Sequence, residues 1–519
     1  MTVVSPASAA VKSGSACPTL GKVSISAGKK YTCIKSGKKL VWDKGVTQAL
    51  TPGKQDAAPA PVQSSAAEPT KFDYSKTFST DSGYLTEFSG PCDKDPNVSG
   101  LANEIQQYYW NINYCAGQIR INKYSLGSKR PTVQFNSASN FSNTQPCKLV
   151  TPSNSRSNLG FTTSEPGRNQ WAEKRKYPSP NTVIQLVPIY ADDTAKPKNS
   201  PAEDYAYFLN YFKNWIEYSS DFGSNVEVRI PSKYIKMNSN IGDFQVYHTK
   251  RHDDPEHVAF NKAVVAATDS EINYSGANIA IVVPPAGTDA KVLGQASIGA
   301  LQTADGEVPV VMSEFAAFAT NPQSQKYSLL GAPFWWVHEI FHAGYGFDDH
   351  YGDTAQNINS EYGMGSLTLL TPYGGDLTTW EKWIMGFIQD SQIQCVSSGT
   401  SSTHWIAPST VKTTESKAIV VKVSDTKVVV VETLRPAGLY YKLPQQGQGA
   451  LVYEIDLMKD THGMGMKLSL PLGRKVESTQ YQFMASYPLK EGESTICDGY
   501  KFTIVESGTF GDVVKVEKQ

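Results

Sequence analysis

Trp335 to Asp353 read WWVHEIFHAGYGFDDHYGD, in which His338 and His342 stand four apart and Glu339 directly follows the first. On a helix, residues at that spacing project from one face, so the two imidazoles can share a metal ion. Phe334, Trp335, Val337, Ile340 and Phe341 wrap the polar trio in apolar bulk. Three ionisable groups in so buried a helix are costly unless a metal satisfies them. Neutral imidazoles with a carboxylate suit Zn²⁺ and leave a fourth position for water. Zinc draws the pKa of such a water towards ~7, and Glu339 stands where it can take the proton during attack on a carbonyl. Gly344 and Gly346 can end the helix, because glycine enters the left-handed conformation cheaply. The chain can then return a carboxylate, Asp349 or alternatively Asp348, to the metal.

Outward from this helix the pattern predicts alternating strands and helices. Residues 182–190, 226–230, 279–283 and 308–312 read as strands, and 255–267 as a helix. Residues 202–218 carry Tyr205, Phe208, Leu209, Phe212, Trp215 and Ile216 at helical spacing. A helix is expected to begin near Pro333, a residue suited to a first turn. After Cys395 the chain turns to short β-type runs at 418–423, 427–433, 450–455 and 512–516, which predict a terminal β-sandwich.

At 519 residues the chain is too long for a single core. The sequence divides into a residual signal-peptide end or flexible tail (1–12), a small β module (13–46), a linker rich in Ala, Pro, Gln and Ser (47–72), a β-rich region without assigned role (73–150), a catalytic domain (151–394) and the β-sandwich (395–519). The expected class is α+β. The 40 % apolar content excludes global disorder. Net charge is −1, with no basic excess and no Lys/Arg-rich block, so no nucleic-acid partner is expected. The longest apolar runs are strand-sized, so no transmembrane segment is expected.

Met1 to Ala10, MTVVSPASAA, end in small residues like a signal-peptidase site, without the charged segment and most of the apolar core that precede one. Seven cysteines without a close Cys-x-x-Cys pair fit an oxidising compartment, so the protein is expected to be secreted, extracellular or attached to the cell surface. In the module, runs at 30–34 and 39–42 flank a Ser36-Gly37 turn, and Cys17 and Cys33 are expected to staple it. This unit resembles a short Cys-and-Trp module found near the N-termini of secreted actinobacterial proteins, which makes it a candidate for cell-wall or surface contact, its lysines reading as a solvated face. Cys92–Cys115 and Cys395–Cys497 are the other expected pairs, leaving Cys147 over.

The motif segment resembles the immune-inhibitor-A-like secreted zinc metallopeptidases of actinobacterial type, whose motif is His-Glu-x-x-His-x-x-Gly-x-x-Asp. The likeness extends to residues 183–192, to NKAVVAATDSEINYSGANIAIVVPP, to GDLTTWEKWIMGFIQDSQIQC, and to QGALVYEIDL and GTFGDVVKV near the end. It covers roughly Cys147 onward. The resemblance implies a zincin-like catalytic domain, hydrolysis of peptide bonds in extracellular protein substrates, and a hydrophobic base under the metal formed by Met364. One extra residue separates His342 from the Gly-x-x-Asp element. Counted from His338, Asp348 has the family's offset, whereas counted from the glycine turn Asp349 does. Asp349 is preferred because the turn sets the direction of return, and neighbouring side chains in extended chain point oppositely.

Weaker candidates remain. His248, His252, Asp253, Asp254, Glu256 and His257 suggest a second metal, against a solvated loop. Asp353 and Asn357 suggest Ca²⁺, against a hydrophilic turn. His350 reads as an outer partner of the metal ligands or as exposed. Tyr362 and Tyr373 are candidate oxyanion stabilisers, against core aromatics. The rival functions are an extracellular binding or adhesion protein with an inactive metal site, against which an intact Glu339 argues, and a zinc hydrolase acting on a non-peptide amide or ester.

Overall fold

The computed structural model describes residues 12–20, 22–26, 29–47, 86–88, 119–121, 125–155, 157–163, 181–221, 223–246, 254–289, 292–293, 296–312, 334–350, 364, 367–370, 375–440, 443, 447–459, 465–473 and 488–519. The chain divides into two compact units, Met1–Glu68 and Pro69–Gln519.

In the first unit, β1 (Val23–Ser26), β3 (Lys39–Trp42) and β4 (Val46–Thr47) all pair antiparallel with β2 (Lys29–Ser36). Gly37 turns the β2–β3 hairpin with φ of 61°, a conformation side chains resist. Tyr31, Cys33 and Trp42 form the buried core, and Cys17 is bonded to Cys33. A core this small needs such a covalent tie.

The second unit contains two short ladders, β5 (Thr86–Phe88) with β6 (Ile119–Ile121) and β7 (Val150–Thr151) with β8 (Thr162–Thr163). Its catalytic-candidate region is built on β9 (Asn181–Tyr190), β10 (Asn225–Arg229), β11 (Ile235–Lys236), β12 (Ile279–Val283), β13 (Ala296–Thr303) and β14 (Gly306–Met312). The order is β10-β9-β12-β14-β13, with β11 extending the pairing of β9, and β13 alone runs antiparallel, at the edge. Both faces are covered. Ile184, Leu186, Ile279, Ile281 and Val283 pack with α1 (Pro201–Ser219) and α3 (Phe334–Tyr345). Val187, Ile189, Ala280 and Val282 pack with α2 (Pro255–Thr268). A strand buried on both faces reads as the continuous apolar run seen in β12.

After α4 (Thr379–Ile384) come, among the described residues, nine strands: β15 (Ile393–Val396), β16 (Ser401–Ile406), β17 (Ala418–Lys422), β18 (Lys427–Leu434), β19 (Gly449–Asp456), β20 (Met466–Leu468), β21 (Ser494–Cys497), β22 (Tyr500–Gly508) and β23 (Gly511–Lys518). They form two sheets, β15-β17-β18-β19-β20 and β16-β23-β22-β21. Ile419, Val421, Val429, Val431 and Val452 meet Phe502, Ile504, Val514 and Val516 between the sheets. The opposite face of the first sheet, Val420, Val428, Val430, Leu451 and Tyr453, joins the apolar cluster that holds α1, α3 and α4. The first of the terminal sheets and helices α1, α3 and α4 therefore share one continuous core.

The cysteine pairing corrects one expectation. Cys147 is bonded to Cys395, and among the described residues Cys497 is free and buried. Strand parity explains why Cys395 and Cys497 do not pair. On β15, Ile393 and Cys395 face the helices, whereas Val396 faces the space between the sheets, where Cys497 lies. Side chains alternate across a strand, so Cys395 points away from Cys497. Cys92 and Cys115 lie outside the described residues.

Candidate metal centre

Helix α3 is fixed from one side by aromatic packing against α1. Trp336 stacks on Phe208 and Tyr205 at 4.9 and 5.6 Å between ring centroids, and Phe341 meets Trp215 edge-on at 5.4 Å. Val337, Ile340 and Phe341 are fully buried. The opposing positions present His338, Glu339 and His342, of which His338 is buried and the other two are half-buried.

The helix ends at a turn in which Gly346 adopts φ of 65°. The amide of Gly346 donates to the His342 carbonyl at 3.0 Å, and that of Phe347 to the Phe341 carbonyl at 3.1 Å. This reversal brings the Phe347 carbonyl to 2.7 Å from His342 Nδ1. His338 Nδ1 lies 3.0 Å from the Leu369 carbonyl. A carbonyl can only accept, so each Nδ1 is the donor. In the neutral rings both Nε2 atoms then keep a lone pair.

Those two nitrogens face each other at 2.9 Å. Asp349 Oδ1 lies 3.3 Å from Nε2 of His338 and 3.2 Å from that of His342. Four ligands about 2.0–2.1 Å from a tetrahedral zinc stand roughly 3.3 Å apart, so this triangle fits one face of that site. Asp348 points elsewhere, its Oδ1 accepting from the Asp349 amide at 3.0 Å. Of the two aspartates, Asp349 is the one that joins the histidines.

The electrostatics describe a site made for positive charge. Burial pulls the His342 pKa down, but the charge and hydrogen bond of Asp349, the charge of Glu339 and the Phe347 carbonyl outweigh it and raise the pKa to about 10. Burial pushes Asp349 up, yet the charge of His342 and the hydrogen bonds of both histidines hold it well below the usual carboxylate range. The same negative groups would favour any cation placed between the two rings and Asp349.

Met364 is buried in the same apolar cluster as Val337 and Ile340, and its amide donates to the His350 carbonyl at 2.9 Å. His350, which follows Asp349, is fully buried, and its Nε2 lies 3.0 Å from Glu381 Oε1. Glu381 is the third residue of α4. Its Oε2 accepts from the Thr378 amide and hydroxyl and from the Thr368 hydroxyl, at 2.7, 2.8 and 3.0 Å. Burial raises the Glu381 pKa, but the bond and charge of His350 and the Thr378 donors lower it further. One carboxylate therefore ties the chain after Asp349, the chain before Leu369 and the start of α4 together. The Thr-x-x-Glu spacing announces the helix cap. Nothing local announces its pairing with His350.

The remaining candidates separate. Asp254 is the N-cap residue of α2, Glu256 is half-buried and His257 is buried. Among the described residues these three form no ligand cluster. His248, His252, Asp253, Asp353, Asn357, Tyr362 and Tyr373 lie outside the described residues. Glu454, Cys497 and Asp498 form a second group with ligand-like spacing. Lys427 already lies 3.2 Å from Asp498 Oδ1, and Lys459 lies 2.6 Å from Glu454 Oε1, so that group is neutralised from within. In comparisons with known proteins, the chain matches no family model and no curated protein.

Proposed function

We propose that the chain is a secreted zinc-dependent endopeptidase whose metal is held by His338, His342 and Asp349. The observation that carries this is the convergence of two imidazole lone pairs and one carboxylate oxygen on a common point, with both rings aimed by backbone carbonyls. Such a donor set fits Zn²⁺, since metal-ligating histidines characteristically give their other N–H to a carbonyl or carboxylate. Bound there, zinc would polarise a peptide carbonyl and acidify a water molecule.

The chain's own residues supply the rest. Glu339, half-buried and one position from His338, acts as general base towards the attacking water and then returns the proton to the leaving nitrogen. Trp336, Val337, Ile340 and Phe341 hold the helix rigid, so the base and the two rings keep their relative positions. The Cys17–Cys33 and Cys147–Cys395 bonds suit an oxidising compartment, which supports export and extracellular protein substrates.

The test is zinc content together with digestion of a casein-type protein, with and without chelator, and of small esters in parallel. Glu339→Gln is expected to keep zinc and lose cleavage, whereas His338→Ala and His342→Ala lose the zinc itself. Near wild-type digestion by Glu339→Gln would overturn the mechanism. Ester turnover without proteolysis would overturn the substrate class.

A further inference from the structure

The balanced total charge conceals a segregation. Residues 12–47 hold eight lysines against one acidic residue, Asp43, and neither arginine nor histidine, a net charge of +7. The other 483 residues carry forty basic and forty-eight acidic side chains, a net charge of −8. This corrects the reading that the sequence has no lysine-rich block.

All eight lysines are exposed. Among the described residues none of them makes an ion pair, whereas Lys148, Lys236 and Lys427 of the second unit are each held by a carboxylate. Asp43 is engaged with the Gly45 amide at 2.9 Å. Uncompensated like charge on a unit with three buried core side chains opposes folding, and dispersed charge of both signs would serve solubility better. A partner of opposite sign would offset that cost.

We propose that this unit docks a flexible, linear phosphate polymer. Lys29 and Lys30 are consecutive in β2 and therefore point to opposite faces of the sheet, while Lys38 and Lys39 crown its hairpin. A planar membrane can neutralise one face only, whereas a flexible chain can pass around both. Nucleic acid fits less well. Tyr31 and Trp42 are buried and offer no ring for base stacking, and no arginine is present to read base edges. Lysine is a compact point charge, suited to phosphate oxygens without demanding a fixed bidentate geometry.

The experiment titrates the full chain with long-chain inorganic polyphosphate across a salt series. It compares the wild type with a triple Lys35→Gln, Lys38→Gln, Lys39→Gln variant. Each neutralised phosphate contributes about 0.7 to the slope of log affinity against log salt, so the variant should lose roughly 2 from that slope. At 0.1 M salt this is a weakening on the order of 100-fold. An intact Cys17–Cys33 bond in the variant shows that the unit has folded. Binding should persist with chelator and in Glu339→Gln, so the result stands apart from the fate of the metal site. No binding at low salt, a variant that binds like wild type, or tighter binding to anionic vesicles or duplex DNA overturns the proposal.

Discussion

His350 and Glu381 are both fully buried and meet Nε2 to Oε1 at 3.0 Å, one residue beyond Asp349. The carboxylate accepts on both oxygens at once, from His350 on one and from Thr368 and Thr378 on the other. An amide has only one accepting atom. Glu381→Gln must therefore turn its NH₂ towards donors on one side, which loosens the loop that aims Asp349. The expected result is a zinc affinity roughly 10–100-fold weaker in a protein that still folds, measured by competition with a chromophoric chelator. Unchanged affinity would refute the positioning role.

Asp349 and Asp348 are expected to separate under substitution. Asp349→Ala removes the oxygen that meets both Nε2 atoms and should abolish stoichiometric zinc binding. Asp348→Ala removes a carboxylate that accepts from the next amide and should leave zinc bound. Metal analysis of the two purified variants decides the matter, and full zinc in Asp349→Ala would reverse the assignment.

His404 sits in the terminal sheets, with Nδ1 2.8 Å from Gln394 Oε1 and Nε2 2.7 Å from Ser402 Oγ. Burial lowers its pKa to about 4. The unfolded chain therefore takes up this proton first as pH falls. The corresponding stability, ~3 kcal/mol for a shift of this size, is present above about pH 6.5 and lost on the way to about pH 4. Urea midpoints across that interval should fall less steeply in His404→Gln than in wild type.

Glu432 has the opposite sign. Burial raises its pKa to about 7, against the lowering effects of the Thr379 amide and the Lys382 charge. Its contribution to stability is full below about pH 4.5 and is lost as pH rises through about 7. Glu432→Gln is expected to stabilise the protein at pH 8 by on the order of 1–3 kcal/mol relative to its effect at pH 4.5. An equal effect at both pH values in thermal melts would contradict this.

Non-reducing peptide mapping should recover Cys147 linked to Cys395 and Cys17 linked to Cys33, with Cys497 alkylated only after unfolding. Burial and the charges of Asp498 and Glu454 push the Cys497 thiol up to about 12, which makes it a poor nucleophile. Loss of the Cys147–Cys395 bond should cost about 2–5 kcal/mol. A Cys395–Cys497 peptide would contradict the parity of β15.

The helix of the candidate metal centre is legible in the sequence because its information is local. The spacing of His338 and His342, the apolar flanks and the glycine turn all lie within a dozen residues. Strand β12 is legible for the same reason, as an unbroken apolar run. Strand β13 is not, because ASIGALQT lacks alternation, carries Gly299 at φ of 87° and shifts register between Ser297 and Ala300. The valine runs of β17 and β18 announce burial, but not that one face meets a second sheet and the other meets the helices. The contact of His350 with Glu381 and the pairing of Cys147 span 31 and 248 residues. Only the folded chain brings such distant positions together.

The bond between Cys147 and Cys395 encloses the whole segment that carries His338, Glu339, His342 and Asp349. A chain proposed to cut peptide bonds is exposed to its own activity and to that of its neighbours. A nick anywhere between residues 147 and 395 severs the backbone but sheds neither fragment. Each piece stays leashed to the other through the sheet that carries Cys395. Damage of that kind would go unseen on a gel run without reductant, where the nicked protein migrates as one species, and would appear as two bands once the bridge is reduced.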